Sequence, residues 1–239
     1  MVKSIWIYLL GLLAIGLFAW LQAPLAAPVV VYSSDFESNN GGMSGTLDWE
    51  WGIYSWTGNT CSGTNYPPPS AHSGNHMWAT QLNTCYNNLG NNAGYDTCVN
   101  GNTNDDSILS FTVDLTGLTE ATLSWWEWQD IYLNWDWAEV YVNNTVVFQH
   151  CGTEYAPSTV WGQQSVDLTT YVGASVNIRF HMMSSSVVER AGWFIDDVQV
   201  SGSTPDPIPT LSEWGMIIFT LLLGGSGLLY MQKRKALNG

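Results

Sequence analysis

Lysine is absent from the whole interior of this 239-residue chain, and between residues 28 and 205 the only basic side chains are Arg179 and Arg190. Against these two stand 18 aspartates and glutamates, so the segment carries a formal charge of −16. Such a surface repels phosphate backbones, whose capture depends on Lys and Arg, and nucleic acid is not expected as a partner. Divalent cations and neutral sugars are the ligand classes that the charge admits. The interior also lacks helical periodicity and any internal repeat. No Cys-x-x-Cys or Cys/His spacing offers a zinc site. Neither His-Glu-x-x-His nor Gly-x-Ser-x-Gly is present, and spacing singles out no carboxylate pair as acid and base. No catalytic residue is therefore expected.

What remains is aromatic, turn-rich and bounded by two apolar runs. Eleven of the 14 tryptophans and all four cysteines, Cys61, Cys85, Cys98 and Cys151, fall within residues 28–205. That length suits one domain with its own core. The N-terminus has Lys3, an apolar run over 5–21 and small residues up to Ala27, the layout of a signal peptide at 1–27. Near the other end, an uncharged apolar run at 216–231 predicts a transmembrane helix. Trp214 and Tyr230 stand at its ends, followed by a basic cytoplasmic tail at 232–239. The interior is thus predicted to be exported, where disulfides are stable. Two bridges are expected among the four cysteines, and three connectivities remain open.

Short strands are predicted at 29–36, 47–53, 76–82, 107–114, 121–129, 138–142, 145–150, 164–167, 175–183 and 193–200, separated by turn signals. Asn143-Asn144 reads as a two-residue hairpin turn. Asn, Gly, Pro, Ser and Thr dominate residues 57–106, a long loop of the kind that disulfides staple. The fold class is all-β: a two-sheet antiparallel sandwich at 28–200, with a linker at 201–207.

Two resemblances follow from particular residues. Ile208-Pro209-Thr210-Leu211 with Trp214 and Gly215, ahead of an apolar run and a basic end, resembles the IPTL-CTERM sorting signal of Gram-negative bacteria. This resemblance implies an exosortase-type protease as partner, an inner-membrane intermediate, and delivery to the cell surface or its polysaccharide. Asp35-Phe36-Glu37, Ala71-His72-Ser73-Gly74-Asn75, Ala121-Thr122-Leu123-Ser124-Trp125 and Gly192-Trp193-Phe194-Ile195-Asp196-Asp197-Val198 together resemble the choice-of-anchor J, or cleaved-adhesin, domain. Its jelly-roll architecture is related to MAM domains and carbohydrate-binding modules. The cysteine-bearing stretch at 83–104 departs from that pattern.

The second resemblance implies a structural Ca2+ held by Asp35, Glu37, Ser73, Gly74, Asp196 and Asp197, in keeping with the oxygen ligands that a hard cation prefers. Strand alternation predicts that only one of the adjacent aspartates faces the ion. His72 and His76 sit in a turn, and His150 and His181 in strands, where packing roles are expected. A candidate aromatic and acidic platform for sugar rings comprises Trp128, Trp135, Asp136 and Trp137. The expected function is an exported adhesin or extracellular-matrix binding domain, with extracellular polysaccharide or surface glycan as partner. A carbohydrate-binding module is the alternative, and an extracellular hydrolase the second.

Overall fold

The computed structural model describes residues 28–58, 61–89, 107–132, 135–150, 157–205 and 211–237. The chain forms a sandwich unit, Ala26–Thr204, and a second unit that contains its C-terminal helix. The eleven strands among the described residues are β1 (Val29–Ser34), β2 (Ser44–Gly45), β3 (Trp49–Ile53), β4 (His76–Thr80), β5 (Ser107–Asp114), β6 (Glu120–Asp130), β7 (Trp137–Val142), β8 (Thr145–His150), β9 (Gly162–Asp167), β10 (Ser175–Met183) and β11 (Gly192–Ser203). They build two antiparallel sheets. One has the order β3-β4-β11-β6-β9 with β1 also paired to β11, and the other the order β2-β5-β10-β7-β8.

Period-two patterning explains the layers. In β5, Leu109, Phe111 and Val113 are buried, and in β10 Val176, Ile178 and Phe180 are buried. Together with Ala138, Val140 and Val142 of β7 they face Leu123, Trp125, Trp193, Ile195, Val198 and Val200 of the six-stranded sheet across the main core. Each Val, Leu, Ile or Phe among them contributes about 1.5–3 kcal/mol of apolar burial. A second, smaller cluster lies around Trp128, Met77, Ala79, Phe194 and Ala71, with Tyr54, Trp56 and Trp161 packed against it. Residues of the long loop close over this cluster, since Trp128 Nε1 donates to Tyr66 O at 2.7 Å and Trp161 Nε1 to Ser70 O at 3.1 Å.

Several element limits differ from expectation for local reasons. β1 stops at Ser34 because Phe36 adopts a left-handed backbone (φ 60°), which turns its ring into the core. The two-residue β2 has too little pattern to be read from sequence, and it is placed by pairing with β5 at Ser110 and Leu109. The Asn143-Asn144 hairpin joins β7 to β8, with Asn143 taking positive φ. The helix α1 runs over Leu211–Leu237, beyond the expected 216–231 at both ends. Helix-forming Lys and Arg side chains extend it, and Arg234 and Lys235 complement the dipole in its last turn. Within it, Gly215–Leu237 is long and apolar enough to cross a membrane, with mean hydropathy 1.5. The proposed signal peptide at 1–27 and residues Ile208, Pro209 and Thr210 lie outside the described residues.

One disulfide, Cys61–Cys85, ties the long loop to the segment after β4 and contributes roughly 3 kcal/mol by restricting the unfolded chain. Cys98 and Cys151 lie outside the described residues.

A buried carboxylate stands inside the main core. Glu127, 3% exposed, accepts from Trp125 Nε1 at 3.0 Å and Trp193 Nε1 at 2.9 Å, and lies 2.6 Å from His150 Nε2. It thus satisfies two indole N–H groups that apolar neighbours would leave unpaired. Glu127→Ala should destabilise the sandwich by about 3 kcal/mol or more in urea unfolding. A loss below about 1 kcal/mol would mean that the indoles find other acceptors and that this carboxylate is dispensable.

Candidate functional site

The loop 72–76 is gripped by carboxylates from two other parts of the chain. On one side is the turn that follows β1: Glu37 Oε1 accepts from Asn75 N at 2.9 Å and from His76 N at 2.7 Å, while Oε2 lies 3.5 Å from His76 Nδ1. Gly74, at φ +51°, permits this approach, because a Cβ there would lie 2.1 Å from Glu37 Cδ. On the other side is β11. Ser73 N donates to Asp196 Oδ2 at 3.0 Å, Ser73 Oγ to Asp197 Oδ1 at 3.0 Å, and His72 Nδ1 lies 2.6 Å from Asp197 Oδ2. The imidazole of His72 stacks on Trp126 with ring centroids 3.9 Å apart, and Trp161 meets it edge-on.

Both adjacent aspartates therefore reach the same turn, which corrects the expectation that only one would. The alternation fails because the register of β11 against β6 shifts between Asp196 and Gln199, and Asp197 takes a positive φ of 47°. Asp35 stays exposed and turns its Oδ1 back onto Glu37 N at 3.2 Å. Glu37, Ser73, Gly74, Asp196 and Asp197 are brought together, whereas Asp35 remains at the margin.

The electrostatics of these acids diverge. Burial pushes Asp196 up to about 7; the Ser73 N–H counteracts this and the neighbouring Asp197 charge adds to it. Hydrogen bonds from the His76 and Asn75 amides hold Glu37 below the usual carboxylate range. The donor set consists of carboxylate, hydroxyl and carbonyl oxygens, which is the chemistry a hard cation takes. Among the described residues, however, no three acidic, histidine or cysteine side chains converge to metal-ligating geometry.

The expected sugar platform is not assembled. Trp128 is buried in the smaller cluster, because the long loop covers that face of the sheet. Trp137 is 2% exposed and donates to Met183 Sδ at 3.0 Å. Asp136 is fully buried, accepting from Tyr86 Oη and from Ser185 N at 2.6 Å, and only Trp135 is half-buried. These side chains serve packing and internal hydrogen bonding. Sequence pattern shows which strand face a residue occupies, but not which face a distant loop will cover.

Burial raises the Asp136 carboxyl from 3.8 to about 6, against the lowering effect of its bonds from Tyr86 and Ser185. The folded state then holds this proton more tightly than the unfolded chain. The contribution of Asp136 to stability is accordingly full below about pH 3.8 and is lost as pH rises through about 6. Asp136→Asn should flatten that part of the stability profile in thermal melts from pH 4 to 7. An unchanged slope would assign the pH dependence to other groups.

Comparison with known proteins adds four likenesses. Over 173 residues, 71% of the chain, the sequence is 27% identical to bacillopeptidase F of Bacillus subtilis (strain 168), and the match spans 10% of that protein's length. The CBM22-1 xylan-binding domain of Paenibacillus barcinonensis Xyn10C superposes with a TM-score of 0.41 at 11% identity, covering 75% of this chain and 98% of that one. The K3 cleaved adhesin domain of Lys-gingipain from Porphyromonas gingivalis gives a TM-score of 0.37 at 19% identity, over 72% of this chain and 98% of that domain. At the C-terminus, residues 206–234 match the IPTL-CTERM motif, a signal for sorting to the cell surface.

Proposed function

We propose that this chain is an adhesin of a Gram-negative bacterium, processed by an exosortase-type protease and displayed at the cell surface, where its sandwich binds extracellular polysaccharide. The observation that carries this reading is the IPTL-CTERM match at residues 206–234, coincident with an apolar helix able to cross a membrane. The lysine-free interior, with its net charge of −16, favours neutral glycans over anionic polymers as the bound class. Binding rather than turnover is the reading for the sandwich. We compare the native product in cells with and without the protease by fractionation and mass spectrometry. The reading requires loss of the segment beyond about residue 210 in the first and its retention in membranes in the second. A tail retained in both would reduce α1 to a plain anchor.

The same reading assigns structural Ca2+ to Glu37, Ser73, Gly74, Asp196 and Asp197. What supports it is that Glu37, Asp196 and Asp197 all bond the loop 72–76 and that the charge of Asp197 presses on Asp196, a repulsion that a divalent ion would relieve. Millimolar Ca2+ should raise the melting temperature of the wild-type protein and leave Glu37→Gln unmoved. A wild-type melting temperature indifferent to Ca2+ and to chelator would make the cluster a hydrogen-bonded turn and nothing more.

A further inference from the structure

Beside the turn that follows β1 lies an open hollow of about 410 Å3, lined by Ser33, Ser34, Asp35, Ser38, Asn39 and Gly41. Ser33, Asp35, Ser38 and Asn39 are exposed, so the polar groups on its wall are open to solvent. The volume falls within the roughly 300–1,000 Å3 that small-molecule sites occupy. Its lining is unusual for such a site. Small-molecule pockets are mostly apolar, whereas every side chain here ends in a hydroxyl, an amide or a carboxylate.

The wall is held in one shape. Phe36, Gly41 and Gly42 take left-handed backbone at φ 60°, 68° and 69°, which folds the chain back beside the end of β1. Three aromatic side chains pin the turn through its carbonyls: Trp51 Nε1 donates to Phe36 O at 3.1 Å, Trp78 Nε1 to Asn40 O at 3.1 Å and Tyr32 Oη to Gly41 O at 2.9 Å. At Gly41 a Cβ would lie 2.6 Å from Tyr32 Oη and 2.8 Å from Ser34 Oγ, so this close approach requires glycine. Within the turn, Asp35 Oδ1 accepts from Glu37 N at 3.2 Å and Asn39 Oδ1 from Gly41 N at 2.8 Å. Each side chain is thus fixed by one oxygen. Asp35 Oδ2 and Asn39 Nδ2 have no hydrogen-bond partner among the described residues.

We infer that this hollow is where the domain binds a neutral saccharide, with one sugar hydroxyl donating to Asp35 Oδ2, another accepting from Asn39 Nδ2, and the Ser33 and Ser38 hydroxyls adding contacts of either kind. The occupant follows from the chemistry of the wall. A carboxylate oxygen accepts and an amide nitrogen donates, and sugar hydroxyls, each both donor and acceptor, answer the two together. Anions are repelled by Asp35 in a domain of net charge −16, and no cationic side chain lines the hollow. A divalent cation takes six to eight oxygens, and Asp35 is the one carboxylate on this wall. An apolar ligand finds no apolar side chain to cover. Because the turn is already pinned, little ordering entropy opposes binding.

This inference rests on the glycan-binding reading above and names its site. Its test uses the full chain solubilised in detergent, with millimolar Ca2+ throughout, titrated by calorimetry with cellohexaose, mannohexaose, xylohexaose and polysaccharide purified from the producing cells' matrix. Asp35→Asn and Asn39→Asp each keep the Oδ1 that bonds the turn; the first converts the open acceptor to a donor, the second the open donor to an acceptor. Both positions are exposed, so the melting temperature should stay at the wild-type value while saccharide binding weakens by about tenfold in each. Ser38→Ala, which removes only a hydroxyl, should weaken binding severalfold and serves where either of the other variants melts early. Wild-type affinity in the variants that melt normally would overturn the inference and leave the adhesin reading standing. A wild-type chain that binds none of the four probes would overturn both.

Discussion

The rest of the sandwich depends on how β11 is paired. One edge of this strand is taken along its length by β6, from Gly192 opposite Asp130 to Ser203 opposite Glu120. The other edge is shared: β4 pairs with Phe194 and Ile195, and β1 with Val198 to Gly202. Between those two partners lie Asp196 and Asp197, at the register shift. The start of β4 brings residues 72–76 there, and the turn after β1 brings Glu37. Two partial neighbours on one edge thus bring the acidic turn after β1 and the two aspartates of β11 to the same loop. The inward side of β11 meanwhile carries Trp193, whose indole is held by Glu127 in the core.

Scarcity of cations shapes the interior as well as the surface. Both arginines donate to backbone carbonyls, Arg179 to Asn143 O and Arg190 to Thr64 O. Most of the hydrogen bonds that reach the buried carboxylates come from neutral donors. Glu127 takes two indoles, Asp130 takes the amides of Tyr66 and Ala191, Asp136 takes Tyr86 and Ser185, and Asp48 takes Asn87 and Gln81. Hydrogen bonds from neutral groups stabilise a charge less than a paired cation does, so burial prevails and raises Asp48, Asp136, Glu139 and Asp196. These carboxylates specify the arrangement of loops and strands, at a cost in stability that the large apolar core offsets.

Strand identity was legible in the sequence because it rests on period-two alternation, which survives any tertiary context. The 107–114 and 175–183 segments carry it from end to end, and their observed limits are Ser107–Asp114 and Ser175–Met183. The Asn143 turn was legible through the tolerance of asparagine for positive φ. Alternation could not reveal where it fails, and so the double use of Asp196 and Asp197 required the register shift to be seen. Burial by a distant loop was equally silent: nothing local to Trp128 says that Tyr54, Trp56, Tyr66 and Ala71 close over it. Glu139 left a faint signal, an acid within the apolar 138–142 strand, but its pairing with His181 is long-range and appears only in the assembled sheet.

The chain carries the IPTL-CTERM motif over residues 206–234, with an acidic sandwich ahead of it in sequence. The central claim is that the sandwich, once displayed, makes the adhesive contact. The most direct test is adhesion to purified matrix polysaccharide of cells displaying the whole chain, against cells in which an unrelated exported domain replaces residues 28–205 and residues 206–239 are kept. Equal surface display and loss of adhesion in the second strain are expected. Adhesion that survives the replacement would contradict it.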